Sequence, residues 1–150
     1  MVRVFLIFLF LVSSVFGNDL SSVILIESKL FPKIAEINLN KNPKIAIVYD
    51  DSTKSEALKM KELIKNSQII KNIKKGFDAY IFLRKIKKNE LKMLLKNKKL
   101  IFTANPKDIK NAMFSIYIGV RVYPYINPEI IKQAGIRINP ILFKVGRIYE

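Results

Sequence analysis

Apolar residues recur along this chain in two alternating patterns, one at helical spacing and one in short unbroken runs. Residues 20–37 place Leu20, Val23, Ile24, Ile26, Leu30, Phe31, Ile34 and Ile37 at helical spacing. Asp19 or Ser21 would cap that helix, and Pro32 is expected to kink or break it. A loop over 38–43 leads to 44–49 (KIAIVY), a continuous apolar run of the kind buried on both faces of a parallel sheet. Asp50-Asp51-Ser52-Thr53 ends this strand. A helix over 55–66 follows, with Ala57, Leu58, Leu63, Ile64 and Met60 on its apolar face and Ser55 or Thr53 as its cap.

The alternation continues. Residues 68–73 read as a weak strand and 79–83 (AYIFL) as a strong one. An amphipathic helix is predicted over 89–98 from Leu91, Leu94, Leu95 and Met93, and a strand over 100–104 (LIFTA). One or two helical turns over 108–113 precede two strands, 113–118 and 120–125, arranged about Gly119. Pro124 lacks a backbone N–H for the ladder, which predicts that the second strand is an edge. Pro128 opens a helix over 129–134 with Gly135 as its C-terminal stop. Pro140 opens a last helix with Ile141, Leu142, Val145, Ile148 and Tyr149 on one face. Strand–helix units of this kind predict a single three-layer α/β domain. It has a mainly parallel sheet, an antiparallel edge hairpin and helices on both faces.

Residues 1–17 stand apart from the pattern. Arg3 is followed by nine consecutive apolar residues, 4–12, and then by small residues at Val15 and Gly17 before Asn18-Asp19. This is the layout of a secretory signal peptide cleaved near Gly17. The same run read as an uncleaved anchor is well short of the roughly 20 residues that span a bilayer. Export places residues 18–150, the single folded domain, in a bacterial periplasm, and full secretion fits the same segment.

Composition narrows the chemistry. The 150 residues contain 27 Lys+Arg, 12 Asp+Glu and no His, Cys or Trp. Disulfides, thiolate nucleophiles, Cys- or His-ligated metals and a Ser-His-Asp triad are excluded. No metal site or cofactor is expected, and an enzyme would have to work from Asp, Glu, Lys, Tyr and Ser. Eighteen lysines but only one arginine, Arg84, lie between residues 41 and 110. Their scatter over helices and loops, and the scarcity of planar bidentate Arg, argue against nucleic acid as a partner. What remains is a solvated lysine surface with at most weak attraction to an anionic membrane.

Two segments carry candidate chemistry. Asp50, Asp51 and Ser52 sit where open α/β sheets gather ligands, at the carboxyl end of a strand, and Asn105 occupies the equivalent place after a later strand. The carboxylates suit a small ligand, a cation or acid–base work, but a strand-to-helix loop uses Asp and Ser for capping in any such protein, which is the leading reading here. Tyr117, Tyr123 and Tyr125 with Phe114 form an aromatic cluster around the hairpin, suited either to core packing or to a protein partner. With four glycines beyond residue 17 and none in a phosphate-binding pattern, no dinucleotide or P-loop site is indicated.

Residues 120–148, VRVYPYINPEIIKQAGIRINPILFKVGRI, resemble the C-terminal signature of YfiR-like periplasmic proteins. The residues that carry the resemblance include Tyr125-Ile126-Asn127, Ala134-Gly135-Ile136, Ile141-Leu142, Val145 and Arg147-Ile148. The first helix with Phe31 and the KIAIVYD and IFTAN strands appear upstream in the same order. The resemblance implies a non-enzymatic regulatory or sensing protein. It would bind an inner-membrane signalling protein, such as a diguanylate cyclase or a sensor kinase, and a homodimer is compatible with it. This chain departs from the family in lacking the cysteines of a redox-sensitive disulfide and the Trp-Pro after the first helix, where Asn42-Pro43 stands. The alternative reading is a periplasmic small-solute-binding domain.

Overall fold

The computed structural model describes residues 20–150, so the expected signal peptide and the Asp19 cap lie outside the described residues. Helix α1 (Leu20–Leu39) runs through Pro32 without a break, contrary to expectation. Buried residues on both sides of the proline account for this. Ile24, Ile26, Leu30 and Phe31 precede it, Ile34 and Ala35 follow it, and all are buried. At about 1.5–3 kcal/mol per large side chain, their burial outweighs the roughly 3 kcal/mol that an interior proline costs.

After α1 come β1 (Ile45–Val48), a 3-10 turn (Asp51–Thr53), α2 (Lys54–Leu63) and β2 (Ser67–Ile70). Then follow β3 (Ala79–Phe82), α3 (Lys88–Lys96), β4 (Leu100–Thr103) and a 3-10 segment (Pro106–Asn111). The chain ends with β5 (Phe114–Ile118), β6 (Val122–Ile126), α4 (Pro128–Ala134), α5 (Ile141–Val145) and β7 (Arg147–Ile148). The strands form one seven-stranded sheet in the order β2-β1-β3-β4-β5-β6-β7. Among the described residues, only β5 and β6 pair antiparallel. The β1–α2–β2 and β3–α3–β4 units step in opposite directions from the centre, so right-handed crossovers put α2 and α3 on opposite faces. Helix α1 packs with α2, and α3 with α4, which completes the three-layer α/β domain. Among the described residues, no helix is long and apolar enough to cross a membrane.

The apolar runs IAIV, AYIF and LIFT are buried at every position, as strands covered on both faces must be. The Phe31 ring from α1 lies 5.0 Å from Phe102 in β4, and Phe102 stacks on Phe114 in β5 at 5.2 Å. The β4–β5 junction is narrow. Residues 104–113 make a short crossover, and a single position, Phe102 opposite Phe114, is paired in register.

Three further expectations are revised. Leu58 and Leu63 are 46% and 48% exposed, because α2 turns only Ala57 and Met60 inward, with Ile64 buried just after it. Strand β6 is not the edge: β7 adds outside it, pairing Tyr125 with Arg147 and Ile126 with Ile148. The last helix stops at Val145, so Ile148 belongs to β7 and not to a helical face. Gly146 permits that stop. A Cβ there would lie 2.6 Å from Ile126 Cδ1 and 2.7 Å from the Leu142 carbonyl oxygen.

Candidate functional site

The strand order reverses between β1 and β3, so ligands are expected outside the carboxyl ends of the central strands. At the end of β1, Asp50 accepts hydrogen bonds at Oδ1 from Ser52 Oγ (2.6 Å), Thr53 Oγ1 (3.0 Å) and Thr53 N–H (3.0 Å). Its own N–H donates to Thr53 Oγ1 at 3.0 Å. These bonds, Ser52's and then Thr53's, hold the Asp50 carboxyl below its ordinary range. Asp51 projects into solvent, with its side chain 88% exposed, and pairs with Lys71 Nζ at 2.7 Å. The hydrogen bond and charge of Lys71 hold its carboxyl down as well. The three residues thus close a turn on themselves, and Thr53, whose hydroxyl is engaged by Asp50, precedes α2 without a side-chain cap bond.

A cleft of about 300 Å³ opens next to this turn, at the ends of β3 and β4. Leu83, Arg84 and Lys85 line one side, and Asn105, Lys107, Asp108 and Lys110 the other. Its walls are fixed by two buried acids. Glu90 receives both arms of the Arg84 guanidinium, at 2.8 and 2.7 Å, and the Lys87 N–H at 3.1 Å. Arg84 also donates to the carbonyls of Lys85 and Lys71, which joins three segments at one guanidinium. Asp108 accepts from the Ile86 N–H at 3.2 Å and from Asn111 Nδ2 at 2.8 Å, stapling the β3 loop to the 3-10 segment. Asn105 Oδ1 accepts the Lys107 N–H at 3.1 Å, as the cap of that segment.

Subtracting these commitments leaves a definite set of free groups. Among the described residues, the side chains of Lys85, Lys107 and Lys110 have no ion pair or hydrogen bond, and neither has the Asn105 Nδ2 amide. Such a rim attracts an anion with several oxygens and repels a cation. No group of three or more His, Cys, Asp or Glu that could hold a metal ion occurs among the described residues. The structure therefore brings Asn105 into a cleft and leaves Asp50, Asp51 and Ser52 beside it as a self-satisfied turn. Sequence reasoning missed Lys85, Lys107 and Lys110. Their signal was position after apolar strands, hidden among many other lysines.

The tyrosines occupy the far side of the sheet. Tyr117 stands opposite Tyr123, and Tyr117, Tyr123 and Tyr125 share the half-buried face of the hairpin, opposite buried Phe114, Ile116 and Ile126. The rings of Tyr117 and Tyr125, and of Tyr125 and Tyr149, meet edge-on at 6.0 Å. The Arg147 guanidinium covers Tyr117 at 4.2 Å. Arg147 and Tyr149 join this cluster through β7 and the residue after it, whereas the sequence predicts Tyr149 on the face of the last helix.

The residues behind the family resemblance have identifiable structural roles. Asn127 is buried, caps α4 through the Glu129 N–H and donates to the Ile109 carbonyl at 2.9 Å. Ala134 is buried at the end of α4, and Gly135 follows it in the left-handed conformation at φ 67°. Leu142 is fully buried in α5.

No family model matches this chain, and no curated protein matches it. Among solved structures, an ABC domain in complex with L-Trp from Streptococcus pneumonia matches 78% of this chain at 12% identity, with a TM-score of 0.60. The matched part spans 60% of that protein's chain. The likeness is one of fold.

Proposed function

We propose that this chain is a non-catalytic binding domain for a small organic anion, held in the cleft at the carboxyl ends of β3 and β4. The observation that carries the reading is the convergence of Lys85, Lys107, Lys110 and the Asn105 amide, all without partners among the described residues, on one cleft with a pinned wall. The similar fold of the ABC domain in complex with L-Trp supports a small-molecule reading, and amino-acid carboxylates belong in the first panel. Catalysis is disfavoured because the chain has no His or Cys and because Asp108 and Glu90 are tied into the walls. The test is a thermal-shift and calorimetric screen of mono-, di- and tricarboxylates, amino acids and inorganic phosphate. Stabilisation that Lys107→Ala and Lys110→Ala abolish, and that Asp50→Ala and Asp51→Ala leave intact, is the expected result. A flat screen overturns the reading.

A second reading rests on the tyrosine face. The YfiR-like resemblance would imply an exported periplasmic regulator, and the Tyr117, Tyr123, Tyr125 cluster with Arg147 over it suits a protein partner. That partner would be an inner-membrane signalling protein, contacted by a monomer or a homodimer. Co-purification from an envelope fraction, lost on Tyr123→Ala with Tyr125→Ala, is the expected result. Recovery that is indifferent to both substitutions overturns it.

A further inference from the structure

The positive charge is unevenly divided between two segments of the chain. Residues 20–66, which build α1, β1 and α2, hold eight Lys against six acidic residues. Residues 71–99, which build β3 and α3, hold eleven Lys+Arg against two acidic residues. Both of those acids are already paired, Asp78 with Lys41 and Glu90 with Arg84. Within this segment the fold sets three lysines along α3 and three more around a neighbouring cleft. Lys88, Lys92 and Lys96 are exposed and spaced four apart, a single stripe along α3 of about 12 Å at 1.5 Å per residue. Beside α3, Lys74, Lys75 and Lys99 rim a cleft of about 210 Å³ whose floor includes Tyr80, Met93 and Leu94.

We infer that the α3 side of the molecule is a docking face for an anionic lipid bilayer. Like charges four apart on a helix repel, so the stripe weakens α3 unless counter-charge lies against it. At physiological salt the Debye length is about 8 Å, so neighbouring lysines of the stripe act together on a charged plane. The residue type favours a bilayer over a nucleic acid. Ammonium groups on flexible stems suit mobile headgroups, whereas phosphodiester and base recognition favours planar arginine. The one arginine of residues 71–99 is locked onto Glu90. The neighbouring cleft joins an apolar floor to a cationic rim, matching a phosphate headgroup with its glycerol beneath.

The experiment is vesicle co-sedimentation of the full chain at physiological salt. Vesicles of one part phosphatidylglycerol to three parts phosphatidylcholine are compared with phosphatidylcholine alone, which measures any partition of residues 1–17. The variants are Lys88→Gln/Lys92→Gln/Lys96→Gln in α3 and, with equal change in net charge, Lys59→Gln/Lys61→Gln/Lys65→Gln in and just after α2. The expected result is binding that requires phosphatidylglycerol and falls about 100-fold in the α3 variant but little in the α2 variant. Equal losses in the two variants would reduce the effect to bulk charge and overturn the proposal. So would binding that ignores phosphatidylglycerol, or binding to a short RNA duplex tighter than to the vesicles.

Discussion

Glu90, in the first turn of α3, keeps 7% of its surface and Glu27, in the middle of α1, keeps 3%. One meets a guanidinium and the other does not. For Glu90, burial raises the carboxyl pKa, but the bonds from Arg84 and from the Lys87 N–H outweigh it, and the net shift is downward. For Glu27, burial raises the pKa and the charge of Glu56 across the α1–α2 interface raises it further. Burial alone therefore does not decide the ionisation of a carboxyl. The partner does, and the two helical layers differ in whether they supply one. The ionised pair lies at the cleft, where it fixes geometry. Glu27, whose pKa burial pushes up, lies on the buried face of α1.

Removing the partner of Glu90 should have the largest effect. Arg84→Met leaves a buried carboxylate without its cation, and urea denaturation should show a loss of about 3–5 kcal/mol. The double variant Arg84→Met/Glu90→Leu should recover most of that loss, since an apolar pair of similar volume is often nearly neutral. Failure of the double variant to recover would mean that Arg84's bonds to the Lys71 and Lys85 carbonyls matter more than the ion pair.

Next in size is the pH dependence carried by Glu27. Its folded pKa lies above the unfolded value of 4.5, so above that pH the unfolded chain releases a proton that the folded chain keeps. Stability from this group is fully present below pH 4.5 and falls by up to about 1.4 kcal/mol per pH unit until the folded pKa is passed. Glu27→Gln should remove that slope, making the variant relatively more stable as pH rises. Identical slopes for the two proteins in urea melts across this range would show that Glu27 has a counter-charge. The smallest effect belongs to the exposed Asp51–Lys71 pair. Asp51→Asn should leave the urea midpoint within error, because solvent and salt screen that contact. A clear loss there would extend the cleft's rigid wall to the β1 turn.

The sheet was legible because unbroken runs such as IAIV and LIFT have no other comfortable place than between two layers. Helix α4 was legible from its ends, Pro128 and Gly135, since those residues act through local backbone geometry. The two glutamates were not. Arg84 and Glu90 are six residues apart across a strand end and a helix start, a spacing that belongs to no periodic element. Glu27 stands one turn before Phe31 and two before Ile34, at the centre of the buried arc of α1. Hydrophobic periodicity passes over such a position because it counts only apolar residues. The cleft was half legible: Asn105 announced a strand end, but three lysines among many carried no distinguishing mark. Strand β7 was invisible, because two residues give no alternation to read and the close approach at Gly146 depends on Ile126, twenty residues away.

The one-position pairing between β4 and β5 has a further consequence. It is a seam, crossed by the Phe102–Phe114 stack and by the Ser115 hydroxyl bond to the Thr103 carbonyl at 2.7 Å. On one side lies a parallel block of four strands, and on the other the hairpin with β7. Cooperative unfolding units tend to follow supersecondary blocks, which predicts earlier amide exchange along that line than within the four-stranded block. The seam is also bridged by the Asn127 bond to the Ile109 carbonyl, so loosening of the tyrosine hairpin would release the 3-10 segment that walls the lysine cleft before it reached the Arg84–Glu90 clamp.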